Sequence, residues 1–371
     1  MKLVIEDIST RILGERKGTV TIGENKFDIP TPALTNTDVN IANSIMDSTL
    51  SKIAFRNKVL EIRSNIFPKD LENKIYKKNG RNEVTEWVNQ QITNANSLTD
   101  EPVALFTPGL QFIEVTEKAI IEIVNLQIDS NLDIVNIPDS NKIGPDDMAK
   151  IVNRESKKIM DCGKEPFYHI SMGQDYEVFS QKITKNKSFV SGVTIVYADL
   201  YTYLPNLLQL KKLSTDNKIL RILSNVERIT KSKKSRTLYP LSFLAADIFS
   251  VQYIGFAKKL DPKKELHTAK RFDIDSFEYY TLPKHKEKFG GSTNCDCPVC
   301  DGRTLDDIII DFEGSLYEGL RIHEAVSVQN FISSCLDSYE IGKTFEFLKD
   351  SKSIMKAMDD TFLSLNRYRT L

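Results

Sequence analysis

Four side chains have the types and spacing to hold a metal ion. Cys295, Cys297 and Cys300 fall in Asn294-Cys295-Asp296-Cys297-Pro298-Val299-Cys300. Three thiolates from one tight loop can reach a single tetrahedral ion at about 2.3 Å. The chain has four histidines, and His323 lies 23 residues beyond Cys300 in a segment of helical patterning. The spacing predicts a Cys-Cys-Cys-His zinc site, structural because four protein ligands leave no open coordination position. The other reading is free or redox-active thiols with His323 an ordinary surface residue. Disulfides explain the cluster poorly in a reducing compartment. Cys162 and Cys335 stand alone and read as small buried hydrophobes.

A second group could meet phosphate. Arg228, Lys231, Lys233, Lys234 and Arg236 put five basic residues into nine positions with no acidic one, which suits nucleic-acid contacts as well as a solvated loop. Over all 371 residues, 50 basic and 51 acidic side chains leave a charge of −1. That balance excludes a protein basic overall and leaves room for a local patch. The N-terminal MKLVIEDIST lacks a signal peptide's apolar stretch and no run of about 18 apolar residues occurs, so a cytoplasmic protein without membrane spans is expected.

These groups need elements to position them. Strand-like apolar runs recur at Pro102–Thr107, Leu132–Pro138, Pro166–Gly173, Phe189–Val196, Leu220–Val226 and Ala245–Tyr253. Between them, Thr116–Ser130 places Ala119, Ile120, Ile123, Val124 and Gln127 at helical spacing, and Gly144-Pro145-Asp146-Asp147 is a helix start. Strand starts about 20 to 35 residues apart imply repeated βα units and a mainly parallel α/β sheet, as a closed barrel or a doubly wound layer. No glycine-rich phosphate loop follows any of these runs, which weakens the nucleotide-binding open sheet. Val4–Ile29 reads as an antiparallel ribbon turning at Gly23-Glu24-Asn25. Lys69–Gln91, with the only tryptophan, Trp87, reads as an inserted helical excursion, and Glu324–Leu371 is helical in pattern.

Taken together, these features resemble the tRNA-guanine transglycosylase superfamily, most closely its archaeosine-type branch. Cys295, Cys297, Cys300 and His323 match that family's C-x-C-P-x-C zinc motif and later histidine. Ile29-Pro30-Thr31-Pro32-Ala33 is similar to its opening I-x-T-P-A. Gln127, Asp133 and Asp139, six residues apart, resemble the approach to its base-recognising aspartate. Ile170-Ser171-Met172-Gly173 resembles its Q-G strand end. Ala246-Asp247-Ile248-Phe249-Ser250, followed by Tyr253, Ala257 and Lys258, resembles its D-x-F-D-S segment.

The resemblance implies a (β/α) TIM-type barrel over 1–290 with the N-terminal ribbon, an embedded zinc-binding subdomain over 291–330, and a C-terminal helical segment over 331–371. It also implies base exchange: a carboxylate attacks the anomeric carbon and expels guanine, a 7-deazaguanine replaces it, and a second aspartate handles protons. This chain departs from that pattern. The nucleophile column holds Ser250 and the proton-handling column holds Thr107, leaving nearby Asp247 as a candidate catalytic carboxylate, although strand alternation turns it away from Ser250. Asp139, Met172 and Gly173 fall where the family reads the base.

The resulting expectation is a noncanonical or catalytically degenerate paralogue that recognises a guanine or 7-deazaguanine, a nucleic acid or a protein partner in a defence or modification system. The alternative is an active base-exchange enzyme on DNA or RNA. The resemblance also implies a homo- or heterodimer.

Overall fold

The computed structural model describes residues 1–8, 16–46, 55–64, 73–77, 79–109, 115–198, 205–207, 209, 212–213, 218–226, 246–251 and 262–338. An antiparallel ribbon of β1 (Lys2–Ile8), β2 (Arg16–Ile22) and β3 (Asn25–Ile29) leads in, with β2 and β3 joined by a tight turn at Gly23, φ 59°. There follow β4 (Thr31–Pro32), β5 (Leu34–Thr35), α1 (Asn36–Met46), β6 (Val59–Arg63), α2 (Gly80–Asn96), β7 (Val103–Thr107), α3 (Glu117–Asp129), β8 (Ile134–Pro138) and α4 (Pro145–Asp161). The row continues with β9 (Glu165–Ser171), α5 (Tyr176–Asn186), β10 (Gly192–Val196), β11 (Leu220–Val226) and β12 (Ile248–Val251).

These strands form one parallel sheet in the order β4-β12-β11-β10-β9-β8-β7-β6-β5. Only Ala33 separates β4 from β5, so the two ends of the row are one stretch of chain and the sheet closes into a (β/α) barrel. Of the two layouts open to the sequence, the closed one is realised.

Alternation sorts the strands into two faces. Leu60, Ile62, Ala104, Phe106, Val135 and Ile137 join the core beneath the helices, while Val59, Val103, Leu105, Phe167, Leu220, Ile222 and Ile248 form a separate interior cluster. Val20, Ile22, Phe27 and Ile29 of the ribbon belong to that interior cluster. The ribbon therefore plugs the N-terminal end of the barrel with apolar side chains. Burying such a layer stabilises the fold by about 25 cal/mol per Å² of apolar surface.

Local signals explain the helices. Thr116 caps α3 by accepting from the Ala119 N–H, Pro145 opens α4, and Asp175 caps α5. The stretch expected to be an inserted excursion carries α2, which links β6 to β7 and is an ordinary barrel crossover. Its polar look misleads because only Val84, Val88, Gln91, Ala95 and Gly80 are buried. After the barrel come α6 (Pro262–Thr268), a hairpin of β13 (Lys270–Asp273) and β14 (Glu278–Thr281), α7 (Leu282–Phe289), α8 (Leu305–Asp311) and α9 (Leu316–Ser338). Arg321 of α9 donates to Asp38 of α1 at 2.8 Å, a buried ion pair tying the C-terminal lobe to the barrel. No helix among the described residues is long and apolar enough to cross a membrane.

Candidate metal centre and barrel mouth

The cysteine loop is fixed before any ion arrives. Cys300 and Asp301 both donate backbone N–H groups to the Cys297 carbonyl at 2.9 Å, wrapping the loop so that its thiols converge. Helix α9 brings in His323. Its Nδ1 lies 3.5 Å from the Cys295 sulfur, 3.3 Å from Cys297 and 3.4 Å from Cys300, and all four donor atoms lie within 4.8 Å of one another. For ligands at about 2.3 Å (sulfur) and 2.0 Å (nitrogen) around a tetrahedral centre, sulfur and nitrogen would be roughly 3.5 Å apart. The observed spacing fits.

His323 Nε2 sits 2.8 Å from the Phe272 carbonyl. A carbonyl can only accept, so the Nε2 proton points at it and Nδ1 is turned to the thiols, the usual outer support of a metal-bound imidazole. Arg271 donates to the Cys300 sulfur at 3.4 Å and to the Thr293 carbonyl at 2.8 Å, placing a positive charge beside the thiolates. Hydrogen bonds from Cys297 and Cys300 hold the Cys295 thiol far below its ordinary range. Burial works against a charged His323, but hydrogen bonds with Cys295 and Cys300 outweigh it and raise its pKa to about 9. A metal ion must displace that proton, so its affinity falls in acid. Cys162 departs from expectation. It is exposed at the C-terminus of α4, where its backbone N–H caps the helix.

At the C-terminal mouth of the barrel the interior turns polar. Glu61, only 1% exposed, is paired with Arg63, whose Nη2 and Nε reach its Oε2 at 3.0 and 3.1 Å. Arg63 crosses the interior to Asn225 Oδ1 at 3.2 Å, to the Val251 carbonyl at 3.1 Å and to the Ser250 hydroxyl. Ser224 donates to the other Glu61 oxygen. Burial opposes a charge on Glu61, but Arg63 overrides it and, with hydrogen bonds from Ser224 and Ser250, holds the carboxyl below its usual range.

The two columns that the resemblance singles out border this carboxylate. Ser250 accepts from Arg63 and from the Asn225 N–H at 3.2 Å. Thr107 faces Glu61, yet its buried hydroxyl finds no partner of hydrogen-bond geometry. Asn225 itself has φ 61°, a left-handed backbone that asparagine tolerates, where the β11–β12 register slips. His169 of β9 is 2% exposed, and neither ring nitrogen has a hydrogen-bond partner. Burial pushes its pKa down to about 4, only partly offset by Glu61, so the imidazole is neutral at pH 7.

Glu61, Arg63 and His169 escape sequence reasoning. The signal was two charges two residues apart in Val59-Leu60-Glu61-Ile62-Arg63, putting both on one face of an apolar strand. Inside a closed barrel that face is enclosed.

The remaining expected residues are placed as follows. Asp247 lies just before β12, at the end plugged by the ribbon and away from Ser250. It is fully buried, bound by Arg16 at 2.7 Å and Arg221 at 2.9 Å. Arg221 and Arg16 together overcome burial and hold its pKa near 2. Both of its oxygens serve this ion-pair network with Arg16 and Arg221, at the end of the barrel away from Ser250.

Asp139 follows β8. Its carboxylate accepts from Tyr168 at 2.7 Å, Gln174 at 2.6 Å and Lys182 at 2.9 Å. Met172 is fully buried in the core beneath the helices, so it packs where a glutamine would have offered hydrogen bonds. The Gly173 N–H donates to Ser171 Oγ at 3.1 Å. Arg228, Lys231, Lys233, Lys234 and Arg236 lie outside the described residues, as do Tyr253, Ala257 and Lys258.

Fold and site together define a closed (β/α) barrel carrying a Cys3His candidate metal lobe. No family model matches the chain, and no curated protein does. Among solved structures, a protein assigned as a fructose-1,6-biphosphate aldolase from Coccidioides immitis matches at 8% identity over 82% of this chain and 92% of its own, with a TM-score of 0.38. The YdjI aldolase of Escherichia coli K12 matches at 6% identity over 82% and 93%, also at 0.38. A deoxyribose phosphate aldolase from Aeropyrum pernix matches at 12% over 57% and 92%, at 0.35.

Proposed function

We propose that this chain is a catalytically degenerate relative of the tRNA-guanine transglycosylases. In this reading, a structural zinc ion sits on Cys295, Cys297, Cys300 and His323, and the barrel mouth recognises a guanine or 7-deazaguanine base without exchanging it. The base belongs to a nucleic acid or to a partner of a defence or modification system. One observation carries the reading. The Ser250 and Thr107 columns surround a carboxylate, Glu61, that is ion-paired with Arg63 and hydrogen-bonded on both oxygens, so the mouth offers polar contacts without a free nucleophile. The unpartnered imidazole of His169 and the Thr107 hydroxyl are buried groups that a bound ligand or water would satisfy.

Zinc supplies cross-linking and charge neutralisation to the lobe. The protein's own groups do the rest: the Phe272 carbonyl fixes the imidazole, and Arg271 supports the thiolates.

Calorimetry with guanine and 7-deazaguanines tests the recognition step. Saturable binding is expected, weakened about tenfold or more in Asp139→Asn and retained in Tyr168→Phe, which disturbs the same cluster but keeps the carboxylate. Equal binding by wild type and Asp139→Asn would contradict base recognition at this residue.

A further inference from the structure

A cleft of about 470 Å³ opens between α1, the end of β6, α2 and the first turn of α9. Its size is within the range of about 300 to 1,000 Å³ typical of small-molecule sites. Trp87 is the aromatic wall. It is 36% exposed, whereas most large apolar side chains around it are buried, and its edge-to-face contact with Phe106 (6.5 Å between centroids, 79° between planes) fixes its orientation.

Opposite chemistry comes from Glu318. Among the described residues this half-buried carboxylate has no hydrogen-bond or ion-pair partner, and neither do the side chains of Thr37 and Asn40 in the same cleft. The lining cation, Arg63, is committed. Its guanidinium donors go to Glu61, Ser250, Asn225 and the Val251 carbonyl, while its backbone is gripped by Asn36 at 3.0 and 3.3 Å. Such a cleft has no cation to spare for a phosphate.

We infer that this cleft is a second, previously unassigned binding site for an uncharged guanine-type nucleobase or nucleoside, stacked on Trp87 with its Watson–Crick edge on Glu318. A carboxylate only accepts, and its two oxygens match the adjacent N1–H and N2–H donors of guanine, whereas adenine presents an acceptor at N1. Stacking supplies sequence-tolerant affinity and the carboxylate supplies the choice of base. Thr37 and Asn40 are placed for the ribose hydroxyls or the base carbonyl. The site shares the end of β6 and Arg63 with the mouth, but its recognition groups, Trp87, Glu318, Thr37 and Asn40, are all different.

Trp87 is the chain's only tryptophan, so its fluorescence reports this site alone. Titration of the full chain with guanosine is expected to give saturable quenching. Adenosine should respond about tenfold more weakly, and Glu318→Gln should weaken the guanosine response by a similar factor. Asp139→Asn, which weakens binding at the mouth, should leave it unchanged, which separates this site from the one proposed above. No quenching by guanosine up to its solubility limit, a response indifferent to Glu318→Gln, or a stronger response to tetramethylammonium would overturn the assignment; the last would make the cleft a cation box.

Discussion

His169 illustrates how a single buried side chain sets behaviour at the residue scale. Burial holds its pKa near 4 against an ordinary 6.5, with Glu61 offsetting only a part. The folded imidazole resists protonation while the unfolded one accepts a proton below pH 6.5, so stability is full above that pH and falls as the pH drops toward 4. Over that window the loss amounts to roughly 3 kcal/mol. Urea unfolding of wild type and His169→Leu across pH 4 to 7 checks this: the wild-type decline should be flattened by about that amount in the variant, and parallel curves would contradict it. Asp247 makes the complementary point. Its residue type and its place near Ser250 suggested chemistry, but no sequence reading could foresee Arg16 and Arg221 arriving from the ribbon and from β11. Pairings between residues 26 and 231 positions apart exist only once the barrel has closed.

Elements were more legible than residues because periodicity is local. The runs around β7 to β12 show themselves through apolar content and spacing, and the caps of α3 and α4 are written in Thr116 and Pro145. Strand β6 was missed because Glu61 and Arg63 break its apolar run, and the pair β4 and β5 is too short to carry a pattern. The case of β6 is general: a strand whose end lines a closed polar mouth need not look apolar. Packing at the start of β10 gives a sharper test. A Cβ on Gly192 would lie 2.2 Å from the Phe167 ring, and Phe167 belongs to the interior cluster beside the ribbon. Gly192→Ala is therefore expected to destabilise the barrel by about 1 to 3 kcal/mol through overpacking, measured as a lower urea midpoint with an unchanged slope. An unchanged midpoint would mean that the interior layer is looser than described.

For the whole molecule, the candidate metal lobe and the barrel are joined through α9, which supplies His323 to the cysteine loop and Arg321 to Asp38. The four candidate ligands were readable in the sequence because three share one loop, and histidines are few. The architecture around the mouth was readable only in outline, since it depends on which strand faces turn inward on closure. Those inward faces leave Glu61 paired and Ser250 and Thr107 in columns where the resembling family carries carboxylates. The central claim is that this mouth binds without exchanging a base. The most direct measurement is incubation of protein carrying about one zinc ion per chain with labelled guanine and, separately, guanine-containing tRNA, single-stranded DNA and duplex DNA. The account predicts no incorporation above the protein-free rate in any of them. Incorporation by the wild type that disappears in Glu61→Gln would contradict it, and would make Glu61 the carboxylate of an active enzyme.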